Sequence, residues 1–514
     1  MKIPTVPALP NIFKRYAAFA PLRPWLRPTI FLLVGIGVVL AGSTVSSNPK
    51  TQITFIAAVL AVLMALWIAV QPKIGVYLLT VFVYLNLSDI LQVQFGIPSI
   101  NKAVVGLVFV SILANRLVLQ HKPFVFRRSD LLLLIYFLIT LFSVFTADDP
   151  ALAQTGGIDN LKDFVIILII VQVCDDEQPW RQIHWVILLS AVLVATLSCY
   201  QVLTHNYANT FLGLATTPVA QITNFDSQRI AGPLGDPNYY GQILLMALPL
   251  GLYPMISDKR RNYRLLAIAC TVPIVLAIVF TYSRGAFITL IVIGVLIVRE
   301  RKLNYYKVMA GLALILVVTI PLLPAGYMDR LVTLTSIFPQ DVTLQSEVSF
   351  KGRSSEMIIA VQMFLDNPIV GVGYANYEIN YAAYNALLGL DPRFGQREPH
   401  DLFLEILAEN GIIGFIAFAA AITALFRGIQ RARRQFLTLR NDELASRLSS
   451  IELGIVAFFV TSIFLHGAYI RYLWLFVGVA GGGMVLAEAL IRKQRETLLG
   501  REANMYVQRE TINL

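Results

Sequence analysis

Five short segments hold the side chains whose types and spacing could do chemistry in this 514-residue chain. RIAGPLGDPNYYGQ (229–242) sets Arg229, Asp236 and Asn238 in a Gly/Pro-rich loop just before an apolar run. The planar guanidinium of an arginine offers a fork of donors that fits anionic oxygens. The same stretch also suits a helix-opening turn in which Asp236 or Asn238 caps a helix starting near Tyr239. In TYSRGAF (281–287), Arg284 stands between two apolar runs with almost no loop. A guanidinium there is costly unless it is paired or meets a ligand, the alternative being a side chain that stretches up to lipid phosphates. Arg353, in FKGRSSEM (350–357), precedes a helical-looking stretch and reads either as a further anion-binding cation or as a solvated charge. REPHDLFLEILAENGIIGF (397–415) brings His400 to the point where a loop meets a span. An imidazole titrates near neutral pH and can take a proton from a hydroxyl, although interfacial histidines also serve as packing residues. Glu405 and Glu409, four apart, share a helix face and are either functional or partners for the arginines. FLHGAYIRYLW (464–474) adds His466 and Arg471.

Several arginines and a histidine gathered at one face would make a phosphate clamp with a general base. That combination suits transfer from a diphosphate-linked donor, in which leaving-group charge is stabilised and an incoming hydroxyl is deprotonated. No HExxH motif and no Walker-type phosphate loop occurs. The loops carrying these arginines have no compact carboxylate pair or His/carboxylate set, so neither a metal nor another cofactor is expected. Cys174, Cys199 and Cys270 lie in or at the edges of apolar runs, with no spacing that points to a disulfide framework or a zinc site.

The elements that must position these residues are membrane spans. With 57 % hydrophobic and 14 % charged residues, the chain needs the bilayer as its solvent, and apolar runs long enough to cross it recur from Thr29 almost to Arg492. Fourteen candidates fall near 29–46, 53–70, 74–88, 103–120, 131–146, 163–175, 184–204, 239–256, 265–282, 286–298, 308–324, 402–426, 452–467 and 473–491. Those at 74–88, 163–175 and 286–298 are short enough to be tilted, kinked or re-entrant, which gives twelve to fourteen spans. The first run reads as a retained span, not a signal peptide. Positive residues stay on the cytoplasmic side, and with the first 28 residues inside, only 11 of the 41 Lys and Arg fall outside. SDKRRNYR (257–264), RERKLNYYK (299–307) and RGIQRARRQ (427–435) dominate that asymmetry. The net charge of +10 is therefore a topology and lipid-headgroup signal, and nucleic acid is not an expected partner.

The same parity puts Arg229, Arg284, Arg353, His400, His466 and Arg471 together on the outside. The expected division is a basic cytoplasmic N-terminus (1–28), spans over 29–324, a large outer loop (325–401), further spans over 402–491 and a cytoplasmic tail (492–514). Within the loop, SSEMIIAVQMFL (354–365) has helical periodicity. A loop of that length is usually functional or disordered, and its aromatic, patterned composition indicates folding.

Taken in order, RIAGPLGDPNYYGQ, TYSRGAF, GRSSEMIIAVQMFLDNPIVGVGYANY (352–377), PHDLFLEILAENGIIGF (399–415) and the HGAYIRYLW turn resemble the O-antigen ligase/Wzy-type polymerase family of bacterial membrane glycosyltransferases. The resemblance covers roughly the C-terminal two thirds. It implies an all-α GT-C-type helical bundle with one large periplasmic loop, in the bacterial cytoplasmic membrane. It further implies metal-independent, inverting transfer of a glycan from undecaprenyl diphosphate to the hydroxyl of a glycan or lipid-linked glycan acceptor. Carried over by position, Arg229 and Arg284 would hold the donor diphosphate, Arg353 would support them, and His400 would be the base. Asp236, Asn238, Glu405, Glu409, His466 and Arg471 would be supporting residues. Many members have Asn after this histidine where this chain has Asp401, and a carboxylate beside His400 would favour its protonated form. The competing readings are a transporter of bicarbonate-like anions or lipid-linked sugars, with the arginines lining a path, and a scaffold for which they are dispensable.

Overall fold

The computed structural model describes residues 59, 62–97, 99–218, 229–258, 260–302, 344–390 and 395–512. The predicted spans at 29–46 and 308–324, the first part of 53–70, the basic N-terminus and residues 325–343 of the outer loop lie outside them. The chain divides into two compact units, Met1–Pro72 and Lys73–Leu514. In the first, residues 62–70 are helical; the second carries the elements below.

Fourteen α-helices follow in order among the described residues: α1 (Pro72–Tyr84), α2 (Leu87–Phe95), α3 (Asn101–Leu113), α4 (Arg128–Phe142), α5 (Pro150–Val173), α6 (Glu177–Thr204), α7 (Pro237–Ser257), α8 (Arg261–Phe280), α9 (Arg284–Arg301), α10 (Leu344–Asp366), α11 (Tyr377–Leu388), α12 (Leu402–Thr438), α13 (Asp442–Thr461) and α14 (Arg471–Ile512). No strand is present among these residues, and an antiparallel bridge pairs Thr216 with Gly232. In hydrocarbon each backbone donor needs a partner within its own segment, and helices supply one. The chain is thus an all-α polytopic membrane protein.

Eight of the helical segments are long and apolar enough to cross a bilayer, and the bent pair α1–α2, folded by 59°, makes a ninth. The predicted segments 163–175 and 286–298 are helical, but α5 carries Asp159, Lys162 and Asp163, and α9 ends in Arg299, Glu300 and Arg301. Helix α12 has 37 residues, about 55 Å at 1.5 Å per residue. Its apolar part spans, and RGIQRARRQ continues it beyond. Likewise α14 runs on through the polar tail to Ile512.

The same device opens two helices. Asp149 and Asp236 each precede a proline at the first helical position, and each side chain accepts two backbone N–H bonds. Asp149 accepts from Ala151 and Leu152 (2.9 and 3.1 Å), and Asp236 accepts from Asn238 and Tyr239 (2.7 and 3.2 Å). Packing then relies on close approach, since lipid is as apolar as the side chains and contact replaces hydrophobicity as the driving force. A Cβ on Gly454 of α13 would press against the Met246 carbonyl of α7, and one on Gly482 of α14 would press against Cys174. An aromatic cluster joins four helices: Phe137 of α4 lies 4.9 Å from Trp474 of α14 and 5.3 Å from Phe164 of α5, and Tyr136 lies 5.2 Å from Phe418 of α12.

Candidate functional site

Helix α12 is broken near its start, and the break organises the mouth of the bundle. Gly411 has φ 60° and ψ −165°, a region open essentially to glycine alone. The loop Asn367–Gly373 lies across the gap and replaces the lost helical bonds. Ile412 and Ile413 N–H donate to the carbonyls of Pro368 and Ile369 (2.9 and 3.3 Å), while Val372 and Gly373 N–H donate to those of Ala408 and Glu409 (2.9 and 3.0 Å). Gly371, at φ 72°, approaches so closely that a Cβ would collide with the Glu409 backbone. DNPIVGVG and AENGIIG are therefore two halves of one joint. Beyond it, Tyr374 N–H donates to Ser143 Oγ (3.0 Å) and Asp149 N–H to Asn376 Oδ1 (2.6 Å), fixing the loop to the ends of α4 and α5.

His400 sits just before α12. Its Nδ1 lies 2.9 Å from Oε2 of Glu356, a carboxylate on α10 that is 2 % exposed, and shares a 3.2 Å hydrogen bond with the Glu398 carbonyl. The contact with Glu356 is one of distance and charge, since Oε2 makes no aligned hydrogen bond with the ring, while the Glu398 carbonyl at Nδ1 suits the tautomer that carries its proton on that nitrogen. The Tyr377 hydroxyl donates to the Glu356 carbonyl (2.6 Å), and Tyr377 packs with Ile359, Met363 and Ala408, so α10 is seated on α12 through an apolar core. The predicted loop helix over 354–365 extends from Leu344 to Asp366.

Asp401, expected to act on His400 through its adjacent charge, is engaged elsewhere. Its Oδ1 accepts from Phe403 and Leu404 N–H (2.8 and 2.9 Å) and caps α12. Burial pushes its carboxyl above the usual range, against the pull of those two bonds. The carboxylate facing the imidazole is Glu356, forty-four positions upstream and invisible to an argument from adjacent residues.

Glu405 and Glu409 share a face of α12, yet the bonds they make are to backbone N–H groups. Glu405 Oε2 accepts from Gly467 N–H (2.6 Å) and Glu409 Oε1 from Tyr377 N–H (3.1 Å). Among the described residues neither carboxylate forms an ion pair with an arginine. His466 Nε2 meets the Glu398 carboxylate, and its ring lies 6.3 Å from that of His400 and 5.3 Å from that of Tyr239. Arg471 reaches the α1–α2 bend, bonding Asn86 Oδ1 (2.5 Å) and Asp89 Oδ2 (2.8 Å).

Arg229 is held by its own loop and the next hairpin: Nε donates to the Thr281 carbonyl (2.8 Å) and a terminal nitrogen to Asn238 Oδ1 (3.0 Å). Asn238 thus orients the guanidinium while Asp236 caps α7. Three residues after Thr281, exposed Arg284 opens α9, and a Cβ on Gly285 would lie 3.3 Å from Phe464, two positions before His466. The Thr281 turn that holds Arg229 thus lies close in sequence to Gly285, which approaches Phe464, and Phe464 stands two residues before His466. Arg353 is exposed on α10, three residues before Glu356. Next to His466, a cavity of about 360 Å³ is bounded by α5, the 374–378 segment, Glu398–Pro399, α12 and the 466–471 turn.

Sequence reasoning passed over Glu356 and Glu398, although GRSSEM and REPH contain them. The signal was an acid one helical turn after Arg353, on a stretch with apolar periodicity. It also passed over Asn160 and Asp163, which α5 carries into the cavity wall.

Fold and mouth together define a multi-pass helical membrane protein with a histidine, carboxylates and arginines assembled at one end of the bundle. Over residues 267–419, from α8 through the break in α12, the chain matches the O-antigen ligase family. The match supports a general function in membrane glycan transfer, with lipid-linked glycan and acceptor substrates. The matched stretch includes Arg284, Arg353, Glu356 and His400. No curated protein matches the chain.

Proposed function

We propose that the protein transfers a glycan from a diphosphate-linked polyprenyl carrier to an acceptor hydroxyl at the non-cytoplasmic face of the bacterial inner membrane, without a metal. The observation that carries this reading is the approach of His400 Nδ1 to the buried Glu356 carboxylate at 2.9 Å, which leaves Nε2 as the ring nitrogen that can take a proton from a hydroxyl. Nε2 takes the proton of the acceptor hydroxyl as its oxygen bonds to the anomeric carbon. The bond from that carbon to the diphosphate oxygen breaks, and the carrier diphosphate leaves with the electron pair. Attack opposite the leaving group inverts the anomeric carbon. Arg229 and Arg284, with Arg353 at the rim, offset the charge that grows on the leaving group. The Lys/Arg asymmetry supports the orientation, with the mouth outside.

The test uses purified full-length protein with undecaprenyl-diphosphate-linked glycan and candidate acceptors. A new glycosidic product, released carrier diphosphate and indifference to chelator are expected. Movement of intact donor or of bicarbonate across proteoliposomes, with no product, would favour the transporter reading. A cysteine at exposed Ala382 should react with an impermeant thiol reagent on spheroplasts, and labelling only after lysis would reverse the orientation.

A further inference from the structure

The cavity beside His466 is lined by none of the three arginines assigned to the diphosphate. Its polar wall is dominated by carboxyl groups: Asp159, Asp163, Glu378, Glu398, Glu405 and Glu409 face Lys162, Arg471 and His466. Part of that cationic charge is already engaged, since Lys162 Nζ lies 3.6 Å from carboxylate oxygens of both Asp159 and Asp163 and Arg471 bonds Asp89. Asp159, Glu378 and Glu398, the acids of this wall that reach solvent, would repel an anionic headgroup.

A second observation, independent of the acids, points to a ligand. Asn160 is 3 % exposed and lines the cavity. Its Nδ2 donates to Thr140 Oγ1 (3.0 Å), while its Oδ1 has no hydrogen-bond partner. The amide cannot be turned end for end, because the Thr140 hydroxyl already donates to the Phe137 carbonyl (2.9 Å) and can only accept from Asn160, so the unmet end is the oxygen. A buried amide oxygen left unmet loses its hydration without a replacement, and a bound donor restores the missing bond. The wall is thus rich in acceptors, and Tyr374 and Tyr377 add aromatic surface. A volume of about 360 Å³ is at the low end of the usual range for small-ligand sites, about 300–1,000 Å³.

We propose that this cavity is the acceptor subsite and that it takes a hydroxyl-rich sugar end that is uncharged or carries an amine, excluding sugars that bear carboxylate or phosphate. Its role toward the acceptor rests on the transfer reading above; its charge selectivity rests on the cavity alone. Glu398 and Pro399 belong to its wall, so a sugar seated there has its rim one or two residues from the imidazole of His400. Donor and acceptor chemistry are then separated by charge: the diphosphate goes to the guanidinium side and the neutral or amino sugar to the acidic side.

The experiment is saturation-transfer NMR on the full-length protein in a detergent without a sugar headgroup. The probes are the disaccharides of N-acetylglucosamine, glucosamine and galacturonic acid, and binding of undecaprenyl diphosphate is measured in parallel. The first two disaccharides should bind and the uronate should bind at least tenfold more weakly. Asn160→Leu should weaken the two binders about tenfold and leave undecaprenyl diphosphate binding unchanged. Glu378→Gln, at an exposed rim position that does not endanger folding, should narrow the discrimination against the uronate severalfold. Equal or tighter binding of the uronate, no binding of any disaccharide, or indifference of both variants would overturn the proposal. Failure of Arg229→Ala to weaken undecaprenyl diphosphate binding would instead count against the transfer reading and leave the sugar results standing.

Discussion

The two ends of the bundle treat charge differently. At the end where α12 leads into α13, acids and bases answer each other: Arg181 meets Glu177 (3.2 Å) and Glu443 (2.5 Å), Arg447 shares Glu443 (3.1 Å), and Arg433 meets Glu300 (2.6 Å). At the mouth, neutral dipoles do much of the holding. Asp236, Asp401, Glu405 and Glu409 accept backbone N–H bonds, and Arg229 donates to a carbonyl and an amide. Charged pairs at this end include Arg471 with Asp89, Lys162 with Asp159 and Asp163, His466 with Glu398 and His400 with Glu356. A dipole fixes a charged group in place without cancelling its charge. The first end is therefore held by ion pairs among its own side chains, and at the second backbone amides hold the acids at the start of α7 and along α12.

The sharpest break in that comparison comes from His400. His400→Ala should lower transfer by roughly 10²–10⁴-fold, the usual contribution of a positioned base, with carrier diphosphate binding kept. Glu356→Gln should fall between that variant and wild type, because the ring stays in place beside a weaker partner. Product formation and carrier binding, measured side by side on folded protein, decide the matter. Wild-type transfer by His400→Ala removes the base from the mechanism.

Next in size are the arginines. Arg229→Ala should weaken both carrier diphosphate binding and turnover by about tenfold or more, the equivalent of losing a hydrogen bond to a charged group at about 1.5–3 kcal/mol. Arg284→Lys should be impaired although it keeps the charge, since an ammonium cannot reproduce a two-pronged contact with phosphate oxygens. If both variants bind and transfer normally, the mouth holds its arginines for structure and its contrast with the other end loses its functional meaning.

The break in α12 tests the scaffold beneath the site. Gly411→Ala forces a side chain into a backbone conformation that costs about 1–3 kcal/mol and drives a Cβ into the Ile369 carbonyl. A lower Tm and a loss of transfer should appear together. At the opposite end, Arg181→Ala removes partners that are about a third exposed, a loss of at most about 1 kcal/mol. Transfer should be unchanged, and a loss comparable to that of Gly411→Ala would erase the distinction between the ends.

Much of this arrangement was legible in the sequence, for identifiable reasons. Span positions follow from apolar run length, and helix starts such as Asp236–Pro237 follow from the rule that an acid before proline caps a helix. His400, Glu405, Glu409 and His466 stood out because polar groups at the margins of apolar runs are expensive, and the structure gathers them around one mouth. The joint between Asn367–Gly373 and the Gly411 break was not legible, because it satisfies backbone groups across about forty residues and no side-chain pattern records such a pairing. Glu356 escaped for a related reason: a carboxylate on an amphipathic loop helix looks solvated until tertiary packing buries it. Asp401 misled because adjacency in sequence was taken as adjacency of charge, whereas its side chain turned toward the helix it caps.

That misreading supplies the smallest and narrowest test of the contrast between dipole-held and ion-paired charge. Burial holds the Asp401 carboxyl above its ordinary range, so ionising it costs stability in the folded protein. For an acid with a raised folded pKa, its contribution is fully present below the unfolded value of about 3.9 and is lost as pH rises through the folded one. Asparagine caps a helix about as well as aspartate and carries no charge to desolvate. Asp401→Asn should therefore melt at nearly the wild-type temperature in acid, move slightly above it as pH rises toward neutrality, and stay there. Thermal unfolding from about pH 4 to about pH 8, a window that brackets that rise, measures the difference. A variant that is less stable than wild type at neutral pH, with the gap closing in acid, would show that the Asp401 charge is neutralised by a partner rather than merely held by the amides of Phe403 and Leu404, and the mouth would then resemble the paired end of the bundle at this position.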